Sequence, residues 1–106
     1  MPELTDQEFA VAADVAIEAA QKALLPLADE HDFEVELQNG VLQVIFEDPK
    51  PAKFVVSPNA PVRQIWVSAL SRSFKLGWAG EAAGFALDGE RLPVLLDRLA
   101  RTQLGL

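Results

Sequence analysis

The stretch from Phe33 to Phe46 is the most constraining part of the chain. In Phe33-Glu34-Val35-Glu36-Leu37 apolar and acidic side chains alternate, which is the period of a strand with one buried face. Asn39-Gly40 follows, with Leu42, Val44 and Phe46 at alternate positions beyond it. A type I′ turn needs positive φ at both central residues, and asparagine and glycine tolerate that best. A two-residue turn also fixes the register, so Leu37 faces Leu42, Val35 faces Val44, and Phe33 faces Phe46. All three pairs are apolar and share a face. The sequence therefore predicts a hairpin with one buried side and with Glu34 and Glu36 exposed on the other.

Helical patterns lie at both ends of the chain. Thr5-Asp6-Gln7-Glu8 has the form of a capping box. Phe9, Ala13, Ala16, Ile17, Ala20, Leu24 and Leu27 then recur at three- and four-residue steps and make one apolar face. Pro26 removes a backbone hydrogen bond, so a kink or an early end is expected near it. After the hairpin, Phe54–Val56, Val62–Val67 and Phe74–Trp78 read as strands, with a turn at Pro58-Asn59-Ala60-Pro61 and a short sixth strand over Gly84–Leu87. Asp88-Gly89 leads into a second helix, where Leu92, Leu95, Leu96, Leu99 and Ala100 form the stripe and Pro93 falls in the tolerant first turn. Helix, meander of short strands, helix: the order predicts an α+β fold, a two-layer α/β sandwich. Two terminal helices would pack on one face of an antiparallel sheet of five to six strands, as a single domain over residues 1–106.

Charge narrows the function classes. The net charge of −7 argues against nucleic acid, whose phosphates want a basic surface. The charge is also unevenly spread, with residues 1–48 carrying twelve acids and one base and residues 49–106 four acids and eight bases. Such a dipolar chain suits a region that attracts cations or a basic partner, and equally a merely solvated acidic surface. The absence of cysteine removes disulfides, thiolate ligands and a thiol nucleophile, and fits a reducing compartment. No apolar run approaches a membrane span, and residues 1–6 resemble neither a signal nor a transit peptide, so no membrane contact and a cytoplasmic location are expected. With one histidine and no glycine-rich phosphate loop, no catalytic constellation stands out beyond carboxylate pairs.

The candidate metal surface is Asp14, Glu18, Asp29, Glu30, Asp32, Glu34 and Glu36, with His31 among them. Asp14 and Glu18 are four apart on a helix, hence neighbours that repel. Hard oxygen donors without thiolates suit ferric iron, calcium, magnesium or manganese, bound weakly because no closed cage is evident. His31 reads either as a surface residue or as a ligand. If Ile65 and Val67 point to the helices, then Gln64, Trp66 and Ser68 point to the open sheet face, where an exposed tryptophan anchors partners. The competing reading places Trp66 in the core.

Three stretches together resemble the frataxin family of bacterial type. They are Asn39-Gly40-Val41-Leu42-Gln43-Val44, then Asn59-Ala60-Pro61-Val62-Arg63-Gln64-Ile65-Trp66-Val67-Ser68, and the Asp88-Gly89 step into a leucine-rich final helix. The string Pro61…Gln64-Ile65-Trp66 is the most specific of them. The resemblance implies two helices on an antiparallel sheet, and weak binding of ferrous or ferric iron by a carboxylate ridge on the first helix and first strand. It also implies contact with the cysteine desulfurase and scaffold that build iron–sulfur clusters, with Asn59, Gln64 and Trp66 on the partner surface, where they are expected beside the acidic strand edge. A monomer that can oligomerise with iron is implied, and a weak ferroxidase activity is known for some members. Three readings are then open: an iron-binding assembly factor acting as iron donor or regulator, a metal-independent acidic adaptor for a basic protein surface, and a small hydrolase with buried carboxylates. The chain departs from the family pattern between Glu18 and Asp29, where frataxins commonly carry several acids and this helix has none, only Lys22. It departs again at Ala83, where many members have a tryptophan.

Overall fold

The computed structural model describes residues 4–47, 50–80 and 84–106, so Ala83 lies outside the described residues. Helix α1 spans Asp6–His31 and begins at the expected capping box, in which the Thr5 hydroxyl accepts from the Glu8 amide and the Glu8 carboxylate accepts from the Thr5 amide. It does not end at Pro26. The proline is exposed on a helix whose next turn carries buried Leu27 and Ala28, so tertiary packing holds the helix together through the lost hydrogen bond. The end comes at Asp32, a left-handed cap with φ of 59° whose amide donates to the Ala28 carbonyl.

Seven strands follow in a plain meander, each antiparallel to the one before: β1 Glu34–Gln38, β2 Val41–Phe46, β3 Ala52–Asn59, β4 Gln64–Ala69, β5 Arg72–Trp78, β6 Phe85–Leu87 and β7 Glu90–Arg91. Helix α2, Leu92–Leu104, closes the chain. The first hairpin has the expected register, Leu37 opposite Leu42 and Val35 opposite Val44, with positive φ at Asn39 and Gly40. Phe33 lies just before the ladder, and its ring meets that of Phe46 at 4.7 Å. Two further two-residue turns put both central residues at positive φ: Leu70-Ser71 between β4 and β5, and Asp88-Gly89 between β6 and β7. The second of these creates β7, one strand more than the expected maximum. Residues 60–62 are a short 3-10 turn, so β4 starts at Gln64 and not at Val62, while Pro58 and Asn59 extend β3.

One core fills the space between the helices and the inner sheet face. Phe9, Ile17 and Leu24 of α1 and Leu92, Leu95, Leu96 and Leu99 of α2 meet Leu42, Val44, Phe46, Phe54, Val56, Ile65, Val67 and Leu76. The fold is thus the expected two-layer α+β sandwich, and alternation along each strand leaves the other sheet face bare. Trp78 belongs to the inner side, where it stands half-buried with its ring edge-on to Phe85 at 5.2 Å.

Candidate functional site

Strand period and register together determine what the bare face displays. In β4, Ile65 and Val67 are buried, so Gln64, Trp66 and Ser68 face outward. Asn59 pairs with Gln64 across β3 and β4, Ser57 pairs with Trp66, and Trp66 pairs with Lys75 of β5. Asn59, Gln64 and Trp66 therefore lie together on the open face, as expected. Trp66 keeps 36% of its surface exposed. Its Nε1–H donates to Gln64 Oε1 at 2.8 Å, and the Lys75 ammonium sits 4.8 Å from the ring centroid. The indole is thus fixed from two sides while remaining accessible.

The turn before β4 is anchored as well. Arg63, with φ of 54°, donates through Nε to the Leu4 carbonyl at 2.9 Å and through Nη1 to the Ala60 carbonyl at 2.7 Å. Its Nη2 is 2.6 Å from Asp6 Oδ1. One side chain thereby ties the segment carrying Asn59 and Gln64 to the start of α1. Neither Arg63 nor Lys75 was legible as a site residue from local pattern. For Lys75 the missing signal was the Leu70-Ser71 turn, which sets the pairing that brings it to Trp66.

The acids divide into two groups. Asp14 and Glu18 flank a shallow recess of about 200 Å³ closed by Ile17, Leu37 and Gly40 at the tip of the first hairpin. Asp29, Glu30, His31 and Asp32 sit at the far end of the helix, about 22 Å from Asp14 at 1.5 Å per residue. His31 is half-buried, with Nε2 3.3 Å from Glu30 Oε1. Glu34 and Glu36 are exposed on β1, the edge of the sheet. Lys22 is exposed on α1 between the two groups. Among the described residues no three histidine or acidic side chains converge as a metal-ligand set. The carboxylates form an open surface, not a cage. The expectation that the acidic edge lies beside Trp66 needs correcting, because β2 and β3 intervene and the separation is about 14 Å from strand spacing. No charged side chain is buried among the described residues, so the dry carboxylate pair that a hydrolase needs is not found there.

Comparison with known proteins places this geometry. The model of the frataxin-like domain matches residues 2–106. The chain belongs to the frataxin family. Among its curated relatives is the iron-sulfur cluster assembly protein CyaY of a Janthinobacterium species, 30% identical over 105 residues, which cover 97% of this chain and 93% of the relative. The protein of the same name from Pseudomonas aeruginosa is 32% identical over 93 residues, 84% of each chain. That from Cupriavidus metallidurans is 33% identical over 76 residues, 70% of this chain and 67% of the relative. In this bacterial, CyaY-like frataxin no described helix is long and apolar enough to cross a membrane.

Proposed function

We propose that this frataxin works in iron–sulfur cluster assembly, docking its open sheet face on a cysteine desulfurase–scaffold complex and holding iron weakly on its carboxylates as donor or regulator. The observation that carries the docking half is Trp66, an accessible indole braced by Gln64 and Lys75 on a sheet face with no covering layer. Rigid, half-exposed aromatics of this kind are the usual anchors of protein interfaces. The relatives named for cluster assembly align with most of the chain. Iron would be held by Asp14 and Glu18 at the hairpin recess and by Asp29, Glu30, Asp32, Glu34 and Glu36 along the edge. Their oxygens are hard donors that suit ferrous or ferric iron, and the lack of convergence among the described residues favours weak, exchangeable binding.

That same lack of convergence supports a second reading, in which the acids serve only as an adaptor surface for a basic partner. Anaerobic ferrous-iron titration by calorimetry, paired with pull-down on the desulfurase–scaffold complex, separates the two. Saturable iron binding with partner capture is expected. Capture without iron binding favours the adaptor, and no capture in either state ends the docking reading.

A further inference from the structure

We infer that the open sheet face fits a partner surface of two opposite charges, with basic side chains over the Glu34–Glu36 edge and carboxylates over Lys53 and Lys75. The inference rests on the docking reading above and adds the chemistry of the surface that docks. Cross-strand pairing lays out the face row by row. One row runs Glu34, Ile45, Lys53; the next Glu36, Gln43, Val55, Ser68, Ser73; and the next pairs Ser57 with Trp66 and Trp66 with Lys75. Acids thus occupy the β1 edge, neutral side chains the middle, and exposed lysines the third and fifth strands.

These lysines differ from three of the arginines. Arg63, Arg98 and Arg101 are each paired with a carboxylate, to Asp6, Glu90 and Asp97. Among the described residues neither Lys53 nor Lys75 makes a salt bridge, and the ammonium of Lys75 rests on the Trp66 ring. The acids of the β1 edge do not neutralise them either, and Glu47, which follows the Phe46–Ala52 pair beside Lys53, makes no salt bridge with it. Glu36 and Lys75 are four strand spacings apart, about 19 Å, well beyond the screening length of about 8 Å at physiological ionic strength. Lys53 stands about 10 Å from Glu34 across β2, also past that length. The net charge of −7 draws a basic partner from a distance. A uniformly basic partner centred on Trp66 would nevertheless bring like charges against two unpaired ammonium groups, which opposes binding. Carboxylates at those two places turn the repulsion into charge-assisted contacts and set the orientation of the dock.

The sign of one charge reversal tests this. Affinity for the cognate bacterial cysteine desulfurase–scaffold complex is measured by biolayer interferometry for wild type, Lys53→Glu, Lys75→Gln, Lys75→Arg and the Glu34→Lys/Glu36→Lys pair. Lys53 makes no contact with Trp66, so its reversal reads charge alone. Lys53→Glu should weaken binding about three- to tenfold, the acid-reversed pair should weaken it as well, and Lys75→Arg should hold the affinity that Lys75→Gln loses. Binding that tightens or stays unchanged in Lys53→Glu overturns the two-charge surface and leaves a uniformly basic partner, with the docking reading intact. If wild type does not bind the complex, the docking reading falls and this inference falls with it.

Discussion

Replacing Trp66 by alanine tests whether this residue serves the fold or an interface. Its indole makes two specific contacts, the hydrogen bond to Gln64 and the stacked Lys75, both at the surface. An exposed cation–π contact contributes about 0.5–1 kcal/mol and an ordinary hydrogen bond about 0.5–1.5 kcal/mol. With 36% of the residue exposed, Trp66→Ala should cost about 1–2.5 kcal/mol of stability, which lowers Tm by about 4–11 °C in a domain of this size. Phe54 is the internal control. It is 1% exposed and packs on Phe46 at 4.9 Å, so Phe54→Ala should cost about 3–5 kcal/mol.

If Trp66 is an interface anchor, its loss should be felt in binding as well as in stability. Trp66→Ala should cost on the order of 2 kcal/mol in binding to the desulfurase–scaffold complex, about thirtyfold in Kd. Most of the loss should appear as faster dissociation. Trp66→Phe keeps a ring beneath Lys75 but loses the donor to Gln64, so it should fall between the two. The assay is thermal melting beside surface plasmon resonance on the same preparations. If Trp66→Ala melts as low as Phe54→Ala, the tryptophan is core and the docking face loses its anchor. An unchanged dissociation rate would refute the anchor directly.

Neutralising Asp29, Glu30, Asp32, Glu34 and Glu36 to amides should raise the metal-free Tm by relieving like-charge repulsion and remove most of the iron-induced rise in Tm; a full iron response in that variant shifts the site to Asp14 and Glu18. Ser71→Gly should gain about 0.5–1 kcal/mol and Gly40→Ala should lose about 1 kcal/mol in urea unfolding, because both positions have positive φ. A Cβ on Gly40 meets only Asp14 Oδ1, at 3.9 Å, so a loss there reports backbone conformation and not a clash. The hydrogen bond from Arg98, and then its charge, hold the Glu90 carboxyl below the ordinary carboxylate range. Its contribution is therefore present above the ordinary value and lost as pH falls through the lowered folded-state value. The Tm gap between wild type and Glu90→Gln should accordingly be open at neutral pH and close in acid; a gap that widens in acid contradicts the pairing.

The parts of this fold that sequence made legible are those where two local signals agree. Asn39-Gly40 stood between strands that alternate on both sides, so turn and pattern fixed the same register. Asp88-Gly89 offers the same turn chemistry and shapes the same kind of turn, but only Glu90 and Arg91 precede α2. Two residues cannot show a period, and β7 went unread. Leu70-Ser71 is the opposite case, a turn of the same backbone form without the residues that announce it. Half-buried Leu70 packs against the core, and that packing favours leucine where turn chemistry alone would choose asparagine or glycine. Pro26 misled for the same reason, since its local penalty is outweighed by Leu24, Leu27 and Ala28 in the core. In the candidate site, alternation around Ile65 and Val67 was enough to turn Trp66 outward. What surrounds Trp66 depends on strand order, which no single strand contains. Lys75 reaches the indole through a turn that local pattern hides, and the Glu34–Glu36 edge is held away from it by the two strands that the first hairpin and its successor insert. The acids would therefore act on a partner at a distance from Trp66 and not beside it, so charge reversal on β1 should alter the rate of encounter, and loss of Trp66 the lifetime of the complex.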